Sequence, residues 1–411
     1  MIDKLILSVL GSFIGVGLGV LPGSHINNII PLLLSFSFVL SPINISILIV
    51  SIAVSQIITS YIPSIYLGAP SEDTSLSVLP GHKMLIDGRG FEAVKIMIFG
   101  GILSTIFTLF IIFFFFEYFQ QIYVLSRPYV YVLIILTIAF MSGIEKKIKK
   151  IFLSLFIIVL SGVFGIFAIN FPFVNQNVVL FPILSGMFGL STLFISLREK
   201  TKIPKQKKNQ KIKLKNDEIV RASIFGSLFG ILVGFLPAIG VSQAAILSQF
   251  LGGLRSPRMF LATLSGIDIS NEIFSIFSIY LFGNPRSGAS VAIQRILKEI
   301  DIGTIGVFLG SILISISVSS FLVIKFGEKI SEKISRINYT LLNVFGIIYL
   351  LTLIFVFSGP WGVFISLVGC SIGILSAKLG VKRSDCMGVL LIPSLLFFLG
   401  IDSFVYSILG I

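Results

Sequence analysis

Cysteine, histidine and acidic side chains are scarce in this chain of 411 residues, and each shortage removes a class of chemistry. The two cysteines, Cys370 and Cys386, both lie in apolar runs, which argues against a disulfide framework and against a Cys-based metal site. The two histidines, His25 and His82, belong to no cluster with metal-ligand spacing, so neither a metal nor an organic cofactor is expected. No GxxxxGK[ST] loop occurs, and ATP could therefore act only through another chain. Met1 to Lys4 supply almost no basic leader, and no small-residue cleavage site follows the first apolar run. Residues 5–21 therefore read as a retained span and not as a signal peptide.

What the chain has in excess is apolar surface. It is 55% hydrophobic and only 12% charged, with a mean hydropathy of +1.05, outside the range of soluble domains. Apolar runs of about 17–25 residues recur from end to end, each long enough to cross a bilayer as a helix. Fourteen candidate spans result, near 5–21, 26–42, 43–67, 94–117, 128–143, 151–170, 178–197, 219–236, 240–254, 259–282, 302–323, 337–357, 360–377 and 386–408. Several are short, so the expectation is an all-α polytopic protein of the cell membrane with 12–14 transmembrane helices. Alternate loops hold 26 of the 31 Lys and Arg residues. By the positive-inside rule these loops are cytoplasmic and both termini lie outside the cytoplasm. The net charge of +13 then needs no nucleic acid to explain it. The connector 198–221 carries ten basic and three acidic residues. It reads as a flexible cytoplasmic linker touching anionic lipid, or as a docking site for a soluble partner.

A duplication lies in the spacing. Ser8, Gly11, Ser12, Gly15, Gly19, Leu21 and Pro22 meet Ser223, Gly226, Ser227, Gly230, Gly234, Leu236 and Pro237 at a constant offset of 215. Downstream, Ser55 meets Ser270, Gly68 meets Gly283, Pro70 meets Pro285 and Ser75 meets Ser290. Two proline pairs that share an internal spacing of 48 make duplication the reading. The expected organisation is a first repeat over 1–197, a basic cytoplasmic linker over 198–218 and a second repeat over 219–411. An odd number of spans in each half would turn the second repeat upside down, the pattern of secondary transporters. Broken or re-entrant helices are expected at Gly19, Pro22 and Gly23, at Gly68 and Pro70, at Gly234 and Pro237, and at Gly283, Pro285 and Gly288. Irregular backbone is tolerated at membrane depth where it lines a cavity.

The chemistry concentrates near those breaks. Ser24, Asn27, Asn28, Ser242 and Gln243 offer uncharged hydrogen-bonding groups beyond the two Leu-Pro breaks. Ser71, Thr74 and Ser75 follow one Gly-x-Pro segment; Asn284, Arg286, Ser287 and Ser290 accompany the other, and the two tips are expected to face one polar cavity. A guanidinium beside a helix start suits a carboxylate, although an ordinary outer-loop arginine remains the alternative for Arg286. Glu72 and Asp73 either favour a helix dipole or help hold a coupling cation. Asp268, Asn271 and Glu272 share one face of an apolar helix. Each acid there costs roughly 2.5–3.5 kcal/mol at bilayer centre, so an ion or proton site competes with snorkelling to the interface.

At these breaks the chain resembles the large permease subunit of the tripartite tricarboxylate transporters, the TctA family. The segments "GVGLGVLPGS", "YLGAPSEDTSLSVLPGHKMLIDGRGFEAV", "LFPILSGMFGLSTLFIS" and "GVKRSDCMGVLLIPSLLFFLG" carry the resemblance over essentially the whole chain. Where the family typically has Asn-Asn-Ala, this chain has "SNEIF", so Asn271 keeps one amide and Glu272 replaces its neighbour. The resemblance implies carboxylate uptake driven by Na+ or H+, with an extracytoplasmic binding protein and a small membrane subunit as partners. The expected function is a secondary-active permease for a small, carboxylate-bearing solute, and not an enzyme. The rivals are an intramembrane hydrolase using Asp268 and Glu272, and a structural or lipid-handling membrane protein.

Overall fold

A computed structural model describes residues 2–21, 26–36, 39–67, 78–143, 147–175, 178–199, 205–207, 210–235, 240–254, 256–283, 285–297, 299–334 and 339–410. Regular structure among them is entirely helical. In chain order the helices are α1 Ile2–Val20, α2 Ile26–Ser35, α3 Pro42–Leu67, α4 Val78–Ile86, α5 Gly90–Ser126, α6 Val130–Gly143, α7 Ile148–Ile169, α8 Leu180–Leu184 and α9 Ser191–Glu199. The second half continues with α10 Asn216–Phe235, α11 Val241–Gly252, α12 Pro257–Phe282, α13 Gly288–Ile296, α14 Ile302–Ile334, α15 Tyr339–Leu379, α16 Gly388–Leu399 and α17 Asp402–Leu409.

Nine helices among the described residues are long and apolar enough to cross a bilayer, or ten with the bent pair Arg383–Leu399 and Asp402–Leu409. The difference from the 12–14 expected has local causes. Helices α2 and α11 have 10 and 12 residues. A helix of that length rises about 15–18 Å, roughly half the hydrocarbon thickness. The expected spans 337–357 and 360–377 are joined in α15, interrupted only where Gly359 takes φ 65° and ψ −168° before Pro360. Glycine alone adopts that conformation readily, and the proline ring cannot continue the hydrogen-bond ladder behind it.

The chain forms two compact units that cut across the sequence halves. The first comprises Met1–Tyr123, Thr201–Phe235 and Ala244–Tyr339; the second comprises Val124–Lys200, Leu236–Gln243 and Thr340–Ile411.

In the first unit, α1 lies along α3 and α10 lies along α12. Glycine makes both approaches close. A Cβ added to Gly15 would stand 2.5 Å from the Ile52 carbonyl oxygen and 2.8 Å from the Ser55 Cβ. At Gly230 it would stand 2.6 Å from the Ile267 carbonyl oxygen and 2.4 Å from the Ser270 Cβ. The contacted residues differ by 215, as the glycines do, so the packing itself is repeated and not only the sequence. Each pair is completed by a long helix from the opposite half. Ser8 and Ser12 of α1 bond the hydroxyls of Ser311 and Ser315 on α14 at 3.0 and 3.1 Å. Ser104 of α5 donates to the Ser223 carbonyl of α10, and Ser227 donates to the Ser104 carbonyl, at 3.0 and 2.9 Å. Small hydroxylated side chains permit this spacing and satisfy their own donors across it.

The second unit has its own core, built on Ile134, Ile157, Ile158, Ile183, Met187 and Val389. Helix α7 packs on α16, where a Cβ at Gly165 would meet the Val389 carbonyl. A π-helical turn, Ser185–Leu190, follows α8 and lies against the second limb of α15, with Gly186 against Ser366 and Gly373 against Met187.

The connector between the halves is pinned in its described part, where the sequence suggests a flexible linker. Gln206 Oε1 accepts from the Gly90 N–H and Gln210 Oε1 from the Glu92 N–H, both at 2.9 Å. Two of the free N–H groups at the start of α5 are thereby capped by side chains from over a hundred residues away. Lys207 N–H donates to the Gly88 carbonyl at 2.9 Å, and Lys95 Nζ to the Gln210 carbonyl at 3.0 Å.

Candidate functional site

Helices α3 and α12 mark the centre of the first unit. In their most apolar windows 89% and 94% of residues are buried, against 28–56% for the other spans, so both are sheathed by protein. They touch each other, and the short helices gather on them: α2, α4 and α13 against α3, and α4 and α13 against α12. Their bounds, Pro42–Leu67 and Pro257–Phe282, are also offset by 215 at both ends.

Polar groups run through both helices at these depths. Ser51, Ser55, Gln56, Thr59 and Ser64 are buried on α3; Thr263, Ser265, Asp268, Ser270 and Glu272 are buried on α12. Most of these reach across elements, and Gln56, Asp268 and Glu272 do so with side chains that carry an amide or a charge. Gln56 Oε1 accepts from the Ile26 N–H at 2.7 Å, capping the first turn of α2. The Tyr61 hydroxyl on α3 reaches the Asp268 carboxylate at 3.5 Å, the outer limit of a hydrogen bond. Ser287 Oγ donates to Glu272 Oε1 at 3.0 Å.

The last contact ties a buried acid to a helix start. Helix α12 ends at Gly283, which takes φ 61° as its C-terminal cap. The chain turns through Pro285 and Arg286 and re-enters a helix at Ser287, the N-cap of α13. Ser287 Oγ accepts from the Ser290 N–H at 3.1 Å, while Ser290 Oγ accepts from the Arg286 and Ser287 N–H groups at 3.1 and 2.8 Å. This is a capping box built from two serines. Gln294 Nε2 closes the turn by donating to the Gly283 carbonyl at 2.6 Å.

The residues singled out from the sequence are thus distributed unevenly. Asp268, Glu272, Ser287 and Ser290 are buried or half-buried around α12 and α13, with Asn271 and Arg286 half-buried beside them. Gly19 and Gly234 are buried on the faces of α1 and α10 that meet α3 and α12. Asn27 and Asn28 belong to α2, and Ser242 and Gln243 to α11, but their side chains lie outside the described part. Pro22, Gly23, Ser24, Gly68, Pro70, Ser71, Glu72, Asp73, Thr74, Ser75, Pro237 and Asn284 also lie outside the described residues.

Sequence reasoning missed Tyr61, which faces Asp268 from 207 positions away. It also missed Glu92, an acid of the first unit that gathers three partners. Glu92 is fully buried in the first turn of α5. Its carboxylate meets Arg89 at 2.7 Å and Arg258, from the first turn of α12, at 3.0 Å, and accepts from the Lys213 N–H at 2.9 Å. One signal was present: an acid in the first turn of a long apolar helix, flanked by Arg89 and Lys95.

Long apolar helices, protein-sheathed polar centres and repeated close packing define a polytopic α-helical membrane protein. The family model of the Tripartite tricarboxylate transporter TctA family matches residues 5–388, and the chain belongs to that family. It is 30% identical, over 96% of its length and 99% of the relative's, to an uncharacterized protein of Methanocaldococcus jannaschii. No solved structure matches it significantly.

Proposed function

We propose that this chain is the permease of a secondary-active carboxylate transporter, working by alternating access between two inverted repeats. The observation that carries the reading is the recurrence of the α1–α3 packing in α10–α12 at an offset of 215, with buried acids on the second copy. Family membership supports a permease role, and duplicated helix packing is what a site formed between inverted repeats needs. In this reading the repeats are 1–197 and 219–411, the basic loops face the cytoplasm, and both termini face outward.

The substrate is a small carboxylate held by the capped start of α13 and Arg286, together with the uncharged groups near the other helix breaks. Asp268 and Glu272, with Glu72 and Asp73 near the first Gly-x-Pro segment, hold the coupling Na+ or H+. An extracytoplasmic binding protein delivers the solute, and a small membrane subunit accompanies the chain.

The test is uptake of radiolabelled di- and tricarboxylates into proteoliposomes, with and without a binding protein, under imposed Na+ or pH gradients. Gradient-driven accumulation abolished in Glu272→Gln supports the reading. Absence of uptake under every gradient, in protein that is folded and correctly inserted, would overturn it.

A further inference from the structure

The described connector has a regular face. Over 205–207 and 210–215 its side chains alternate: Lys205, Lys207, Lys211, Lys213 and Lys215 are exposed, whereas Gln206, Ile212 and Leu214 are half-buried and Gln210 is buried. Period-two alternation is the pattern of an extended strap with one side against protein. No acid falls within 200–216, so the exposed side carries a row of ammonium groups with no acid among them.

The strap is held at one level of the molecule. Lys213 N–H bonds Glu92 in the first turn of α5, Arg258 in the first turn of α12 bonds the same carboxylate, and α10 begins at Asn216. Three membrane-length helices therefore start around the strap, which places its lysines at a boundary between hydrocarbon and water. Glu92 joins two of those starts to the strap, and Gln206 and Gln210 of the strap cap the Gly90 and Glu92 N–H groups in the first turn of α5.

We propose that residues 205–207 and 210–215 form a preassembled site for anionic phospholipid headgroups, with Glu92 as the residue that positions it. The chemistry fits a headgroup better than a soluble acidic protein. Lysine is a compact, strongly hydrated point charge that serves phosphate without fixed geometry. It is depleted in the centres of protein interfaces, which favour aromatic, Met and Arg anchors. The apolar side chains of the strap, Ile212 and Leu214, are turned toward the chain's own helices. Anionic headgroups also supply a surface of negative potential at the level where the strap lies.

The experiment uses the purified full-length chain in neutral detergent, titrated with phosphatidylglycerol or phosphatidylcholine while bound lipid is counted by native mass spectrometry. The wild type should retain phosphatidylglycerol at least tenfold more strongly than phosphatidylcholine, and the preference should fall with salt. Replacing all five exposed lysines of the strap by Gln should remove the preference. Replacing Lys147, Lys149 and Lys150 by Gln should leave most of it. Glu92→Gln should weaken it while raising amide exchange over 205–207 and 210–215 and leaving exchange in α7, in the second unit, unchanged. An unchanged preference in the five-lysine variant would overturn the proposal. So would equal competition by inorganic phosphate, or tighter capture of a polyglutamate peptide than of phosphatidylglycerol vesicles.

Discussion

Ser287 donates a hydrogen bond to the buried Glu272 carboxylate at 3.0 Å while the same oxygen caps the first turn of α13. One hydroxyl thereby joins the interior of α12 to the start of the helix that follows it. A change of charge at Glu272 is felt at the capping box, because the Ser287 hydroxyl donates to Glu272 Oε1 and lies within reach of Ser290 Oγ.

Removing that hydroxyl has a defined outcome. Ser287→Ala should destabilise the protein by about 1 kcal/mol from the lost cap alone. Ser287→Thr, which keeps the oxygen, should recover most of the loss. Thermal unfolding in detergent reads both, and an alanine variant as stable as wild type would show that the cap contributes nothing.

The repeated glycine contacts make a paired prediction. Gly15→Ala and Gly230→Ala each drive a methyl into backbone, so each should cost about 1–3 kcal/mol of overpacking. Gly17→Ala on the same helix meets nothing within 4 Å and should be neutral. Melting temperatures of the three variants decide the matter, and equal values would contradict the close approach.

Topology is accessible to labelling because both native cysteines are buried. Cysteines placed at the exposed positions Lys207 and Glu299 should react from opposite sides of the membrane, Lys207 from the cytoplasm. Reaction of both from one side would end the inverted-repeat reading.

Asp301 gives a pH dependence with a definite sign. It caps α14 through Thr304, whose N–H and hydroxyl both donate to Oδ1. The Thr304 hydroxyl bond, followed by the Thr304 backbone bond, holds the carboxyl below its ordinary value. The contribution is therefore complete above the unfolded value of about 3.9 and is lost as the pH falls through the lower folded value. Amide protection at the start of α14, corrected for intrinsic exchange, should fall over that acid range in the wild type. In Asp301→Asn it should be flat.

Much of the fold was legible because its causes are local or periodic. Long apolar runs specify spanning helices from their own composition, and Gly15 and Gly230 show in the sequence as matched members of one spacing. Pro285 and Gly283 mark the end of α12 because their backbone preferences do not depend on neighbours. The ends of the short helices α2 and α11 were less legible, since apolar residues continue past them and hydropathy alone does not tell a half-span from a span.

The sequence by itself determined that this chain is a helical membrane protein of duplicated pattern, with acids on one face of α12 and a basic connector between the halves. Only the tertiary structure decided that α5 completes the α10–α12 pair and α14 the α1–α3 pair. It alone brought Tyr61 to Asp268, and Arg258 and Lys213 to Glu92. Those partners lie 207, 166 and 121 residues apart in the chain. Burial of a charge at Glu92 is tolerable only when several donors converge on it. Which donors converge is set by where helices cross, and that is a property of the packed chain and not of any one segment.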